Sequence, residues 1–458
     1  MLPRYLLPSR AKQDPIIEIN IDGHYESKVY TFGSKVSGIV TMTAHKQLPF
    51  RSLQIDLRGI TSTCGHAFQY GTAFKIHTFM QLQMPISTSA LPANQSLEPG
   101  QLYHIPFQFV IPDQLSSTAC NHKNTAVRER HLQPPPSIGV WDRNDLVGGS
   151  ANVDYLITAR LVLSKHKQGQ EQSIDQSRSI KVIPALPEQP PLHISPDNSE
   201  YRLSQTKTIK KGVLGAKMGI VKASTTQPKP IVLSLDGLDT SQSEIPIDLE
   251  YTPASSTAKP PEIRVKAATI ESLTNFWLGV DGYLPDHHEK PSNSIAPTAP
   301  WVTSHTLVLN ESETTSWKTE SHLISEKEVE RRFSEPVHAI RDCIEHQAVS
   351  RSASCVSYHL DSSKAPAFKA TLRQSFKLPT DKLLFLPTFY SCLVSRTYQM
   401  KITLAIGSSG TTILLVVPLQ VAVNGLDDTH RHCGMHDMIL DSEYEQPEDT
   451  LPPYSRVR

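Results

Sequence analysis

Along most of this chain, apolar and polar residues alternate in short runs, and the period is that of strands, not helices. Ile17, Ile19 and Ile21 open the series within Ile16–Ile21, and Gly38–Ala44 continues it. Leu53, Ile55 and Leu57 alternate with Gln54, Asp56 and Arg58, the pattern of a sheet with one wet face. Phe74, Ile76, Met80, Leu82 and Met84 share one parity, as do Ile105, Phe107, Phe109 and Ile111 before Pro112 ends the run. Val153, Tyr155, Ile157, Ala159, Leu161 and Leu163 form the longest set in the first half. Alternation resumes in Ile231–Leu235, Ile245–Tyr251, Ile263–Val265 and Phe368–Leu372, and then in Met400–Ile406 and Ile413–Val421. Turn residues separate the runs and no helical period intervenes. A βαβ fold is therefore excluded, and the expectation is an all-β chain built from antiparallel sandwiches.

The alternation breaks at VIPALPEQPPL, residues 182–192, where Pro184, Pro187, Pro190 and Pro191 fix φ and remove backbone donors. Closely spaced prolines favour extended backbone, so this reads as a semi-rigid hinge between two domains. The organisation expected is a flexible N-terminus at 1–14, a sandwich at 15–181, the hinge at 182–192, a second sandwich at 193–423 and a disordered tail at 424–458. Within the second sandwich, 284–350 is polar and rich in Ser, Glu, His and Lys, and reads as an exposed insertion. Ser325 and Glu328 form a capping-box pattern, and Val329 and Phe333 lie one turn apart before Pro336. One short helix is expected there, within about Ser325–Ile344, and nowhere else.

At 458 residues the chain exceeds what one core supports. Its 45 basic and 45 acidic side chains cancel, which removes any global electrostatic reason to expect nucleic acid. Six cysteines without close pairs suggest neither a disulfide framework nor a CxxC ribbon, and point to a reducing, cytosolic setting. The opening MLPRYLLPSR lacks the apolar core of a secretion signal. The longest apolar run, Ile413–Val423, is broken by Pro418 and Gln420 and is too short to span a bilayer.

Candidate chemistry is sparse. Cys120, His122 and His131 sit in one loop, Ala119–Gly139, but a fourth ligand at sensible spacing is missing, so they read as locally packed side chains. Lys207, Lys210, Lys211, Lys217 and Lys222 can be drawn as a membrane-surface patch, but read better as the solvated face of a strand. His430, His432, Cys433 and His436 are the densest ligand cluster, in a terminal segment with no second half to enclose a metal, so only adventitious binding is expected. There is no GxSxG, Walker-type GKS or GKT, HExxH or CxxC, and neither an enzyme nor a cofactor is expected.

Several blocks carry a resemblance. They are FQFVIPDQLSSTACNH (Phe107–His122), VRERHLQPPPSIG (Val127–Gly139), the EQPPL of the hinge, KKGVLGAKMGIV (Lys210–Val221), QPKPI (Gln227–Ile231) and LPTFYSCLVSRTYQMKITLAI (Leu386–Ile406). In these the chain resembles the arrestin-like proteins, in particular the fungal arrestin-related trafficking adaptors, over roughly residues 15–423. The resemblance implies two tandem immunoglobulin-like sandwiches whose concave faces hold cargo or contact membrane peripherally. None of the blocks is a catalytic signature.

Near the C-terminus, Leu451, Pro452, Pro453 and Tyr454 fit LPxY, a variant of the PY motif read by WW domains. The prolines predispose the segment to polyproline II, and Tyr454 adds a flat apolar body with a polar tip for a second pocket. Leu2, Pro3, Arg4 and Tyr5 repeat the pattern at the other end. Taken with the resemblance, the motif implies an adaptor in endocytosis and protein transport. It would bind cytosolic segments of membrane transporters or receptors and recruit a WW-domain HECT-type ubiquitin ligase, carrying ubiquitin itself as a modification. Its place would be the cytoplasm, with recruitment to plasma membrane and endosomes. The alternative is an arrestin-like signalling scaffold for a membrane receptor or pH sensor, independent of any ligase.

Overall fold

A computed structural model describes residues 16–67, 71–164, 172–185, 192–194, 198, 200–210, 215–277, 300–309, 315–319, 367–407 and 410–424. The first half runs β1 (Ile16–Ile21), β2 (Val29–Tyr30), β3 (Lys35–Thr43), β4 (Leu48–Ala67), β5 (Gly71–Gln83), β6 (Ser96–Leu97), β7 (Tyr103–Val110), α1 (Thr125–His131), β8 (Ala151–Leu163) and β9 (Ser173–Val182). The second runs β10 (Ser204–Lys210), β11 (Lys217–Thr225), β12 (Ile231–Leu233), β13 (Ser243–Pro253), β14 (Ile263–Phe276), β15 (Trp301–Thr306) and β16 (Lys318–Thr319). It ends with β17 (Phe368–Phe376), β18 (Phe389–Tyr390), β19 (Val394–Ile406), β20 (Thr411–Leu419) and β21 (Val421–Val423).

Each sheet draws its strands from one half only. In the first half, β1-β3-β7 faces a larger sheet ordered β2-β9-β8-β4-β5, with β6 on β4. The alternation read from sequence becomes the inner face: β3 and β7 bury every second residue, and Ile55 and Leu57 of β4 stand opposite Ala159 and Ile157 of β8. Tyr155, fully buried, donates its hydroxyl to the Pro135 carbonyl at 2.7 Å and meets the Phe79 ring edge-on. The second half pairs β10-β11-β13-β17-β16 with β15-β14-β19-β18, which carries β20 on β19; a parallel β12-β21 pair closes one edge. One contiguous cluster of buried apolar residues runs through both halves. The chain is an all-β sandwich fold, as its alternation predicts.

Three features depart from the sequence reading. Phe74 and Ile76 do not share a face with Met80: they are 54% and 51% exposed, whereas Met80 is buried. A bulge between Gly59 and Ile60 leaves Phe79 as the extra residue of β5, so parity switches there. Gly59 makes the room, since a Cβ on it would lie 2.3 Å from the Phe79 ring. Next, the polar stretch 284–350 contributes β15 and β16, which pair with β14 and β17. Trp301–Thr306 is an edge strand with no buried residue, so no apolar alternation marked its pairing. Lastly, the one α-helix among the described residues is α1, inside the segment read as loop, while Ser325–Ile344 lies outside the described residues.

The hinge is tied down at both ends. Val182 and Ser137 exchange hydrogen bonds, Ala185 N–H reaches the Thr31 hydroxyl at 3.0 Å, and Leu192 N–H reaches Gln227. Residues 186–191 lie outside the described residues. Among the described residues, no helix is long and apolar enough to cross a membrane.

Candidate functional site

The residues that stand out chemically gather where the two halves meet. The loop after α1 bends back on itself: Asp145 Oδ2 accepts from Gly139 N–H at 2.6 Å, and Gly139, Leu146, Gly148 and Gly149 all adopt positive φ. At Gly148 the bend lies against Trp301 of β15, 2.2 Å from where a Cβ would stand. This folded loop points Arg143 into the second half, where its guanidinium donates to the carbonyls of Gly237, Thr380 and Leu383. Asn144 O accepts from Leu384 N–H at 2.8 Å beside it.

From the other side, every residue between Leu384 and Tyr398 is buried. At the start of β19 both faces are covered, one by its own sandwich and one by the first half. Arg396 is fully buried there, donating from Nε to Thr274 Oγ1 at 2.9 Å and from Nη1 to Asp145 O at 3.0 Å. Its guanidinium stands 6.0 Å from the Tyr398 ring centre. Burial raises the pKa of the Asp145 carboxyl against the opposing pull of backbone N–H groups and Arg396.

Below this lies a cluster of cysteine and histidine. Asn124 caps α1, its Oδ1 accepting from Ala126 and Val127 N–H at 2.9 and 3.3 Å. The helix then packs Val127 on Tyr390 of β18 and delivers His131 to the seam. His131 Nδ1 is 3.5 Å from Cys120 Sγ, and Cys392 of the second half completes the group: ligand atoms of Cys120, His131 and Cys392 all lie within 4.8 Å of one another. All three are buried, and the three cysteines among the described residues carry free thiols. Burial, reinforced by the charges of His122 and His77, pushes His131 down to about 4, so at neutral pH it is an uncharged imidazole. Burial and the neighbouring Cys120 push the Cys392 thiol up. Two histidines border the group. His122 stacks edge-on to His131 at 6.0 Å and accepts at Nδ1 from Asn124 N–H. Burial lowers the pKa of His77 on β5, against an opposing contribution from the Ala119 backbone.

A second feature is the outer edge of β1. Among the described residues no strand pairs with it, and a cleft lined by Glu18, Asn20, His24, Gln176, Ser177 and Arg178 runs alongside. Burial, then Arg178, Lys28 and Lys181, lowers the pKa of His24, and the cleft is lined by one cation, Arg178, and one anion, Glu18.

Of the sequence candidates, the structure places Cys120, His122 and His131 together, and adds Cys392. Lys207, Lys210, Lys217 and Lys222 are exposed on β10 and β11, Lys222 standing 3.8 Å from Glu250. Leu2, Pro3, Arg4, Tyr5, His430, His432, Cys433, His436, Leu451, Pro452, Pro453 and Tyr454 lie outside the described residues. Arg143, Arg396, His77 and Cys392 were not legible as site residues; the one signal, for Cys392 and Arg396 alone, was the block around SCLVSRTY. The chain matches no family model and no curated protein.

Proposed function

We propose that the chain is a non-catalytic adaptor, in which a rigid β body takes a cytosolic segment of a membrane transporter or receptor and Leu451–Tyr454 recruits a WW-domain HECT-type ubiquitin ligase. The observation that carries the reading is the combination of an all-β body, whose β1 edge no described strand pairs with, and an LPPY sequence beyond it. An open edge takes an extended segment by strand addition, main-chain bonds giving affinity and flanking side chains selectivity. Tethering then raises the effective concentration of ligase at cargo lysines, which requires no catalytic group in the adaptor. The resemblance to arrestin-related adaptors supports the same assignment, and with it a cytoplasmic protein recruited to plasma membrane and endosomes.

The test uses the full chain in its own cells, intact or with Tyr454→Ala, Tyr5→Ala or both. The double substitution should leave cargo association intact and end ligase association and ubiquitination of cargo and adaptor. A peptide covering 448–458 should bind an isolated WW domain with roughly 5–7 kcal/mol, and Tyr454→Ala should abolish it. Full ubiquitination in the double variant would overturn the ligase assignment and leave a receptor scaffold as the better reading.

A further inference from the structure

We propose that Cys120, His131 and Cys392 form a metal site for a thiophilic divalent cation, zinc in the first instance, which staples the two halves of the molecule together. The donor set is two sulfurs and one imidazole, a set that holds zinc with its fourth position open to solvent. Its spacing also fits. With Zn–S near 2.3 Å and Zn–N near 2.0 Å, a sulfur and a nitrogen on one tetrahedral ion stand roughly 3.6 Å apart. Cys120 Sγ and His131 Nδ1 are 3.5 Å apart, and Cys392 Sγ lies within 4.8 Å of both ligand atoms.

Nδ1 is the nitrogen turned to Cys120, so it is the ligating atom, and His131 Nε2, buried without a hydrogen-bond partner, carries the ring proton once the ion is bound. His77 and His122 border the group, but among the described residues only Cys120, His131 and Cys392 bring donor atoms within 4.8 Å of one another, so the fourth position of the ion is left to a solvent ligand.

Cys120 precedes α1 and His131 is its last residue in the first half, while Cys392 lies between β18 and β19 in the second. A cation bound here as the dithiolate, with release of the two thiol protons, ties the capped helix to the continuously buried segment Leu384–Tyr398. The proposal is independent of the adaptor function, since it concerns the body and not the LPxY motifs.

The experiment uses the full chain with His430, His432, Cys433 and His436 all replaced by Ala, so that metal on that segment is not counted. The protein is purified under reducing conditions, loaded with Zn2+ or Co2+ and dialysed against a weak chelator. The expected result is one metal per chain, thiolate-to-cobalt charge-transfer absorption and a tetrahedral cobalt spectrum. Cys120→Ser and Cys392→Ser should each remove the metal, and Cys64→Ser on β4 should retain it. Should the serine variants fail to fold, alkylation of the parent chain decides: metal should protect Cys120 and Cys392 but not Cys64, and a strong chelator should lift the protection. A loaded chain that retains no metal, retention that survives the double serine substitution, equal alkylation with and without metal, or a Cys120–Cys392 disulfide in the reduced preparation would each overturn the proposal.

Discussion

Asp154 lies on β8 in surroundings that favour its neutral form, burial lifting its pKa to about 6. Its neighbour Asn152 donates an amide N–H to it, too little to offset lost hydration. The folded state therefore holds this proton more tightly than the unfolded chain, whose carboxyl titrates near 3.9. Stability from this residue is fully present below about pH 4 and is lost as pH rises through about 6. Asp154→Asn should stabilise the fold by about 1–3 kcal/mol at pH 7 and by nothing at pH 3.5, as read by urea unfolding across pH. A gain that did not shrink towards acid pH would assign the effect to something other than ionisation. Arg396 makes the opposite case, a buried cation held by a hydroxyl, a carbonyl and an aromatic face. Arg396→Ala should cost about 3–5 kcal/mol by removing charge, bonds and stem at once. Arg396→Met should recover at least about 1 kcal/mol of that, because its stem still packs. Neither residue could be placed from sequence: an Asp on an alternating strand reads as its wet face, and nothing local in SRTY announces a fully buried guanidinium.

At the scale of elements, the strands were the readable part because two-residue alternation is local. Ile105, Phe107 and Phe109 bury as expected, and so do Val153 through Leu161. The β5 parity failed because its cause sits on another strand, in the room that Gly59 leaves for Phe79. The helix failed for a different reason. Seven residues give barely two turns, with Val127 and His131 the buried positions, too few to set a period. What makes α1 a helix is its Asn124 cap and its docking on Tyr390, not its apolar pattern. Asn124→Ala should therefore cost about 1 kcal/mol, with hydrogen exchange accelerating first across 125–131 and then at the Cys120 loop. Exchange unchanged in α1 would mean that packing alone holds the helix and the cap contributes little.

For the whole molecule, the separation into sheets of one half each was legible, since prolines in the hinge mark where alternation stops. What locks the halves was not, because the contacts that do so join residues from 94 to 273 positions apart. Arg143 is the clearest of these. Its guanidinium reaches three carbonyls of the second half. Charge-assisted bonds of this kind contribute about 1.5–3 kcal/mol each when intact. Add a buried apolar cluster that crosses from one half to the other, and the two sandwiches should unfold as one unit. Urea unfolding of the intact chain should then give coincident transitions from tryptophans of the two halves, Trp141 in the first and Trp317 in the second, each read with the remaining tryptophans replaced by phenylalanine. Arg143→Ala should separate those transitions, with the seam opening before either sandwich melts. Arg143→Lys should restore coincidence only in part, because a single ammonium cannot span carbonyls that a planar guanidinium reaches together. Transitions already separate in the intact protein would show that the seam is a contact and not a lock. Coincident transitions in Arg143→Ala would instead assign the coupling to the apolar cluster, with the arginine setting only the geometry of the join.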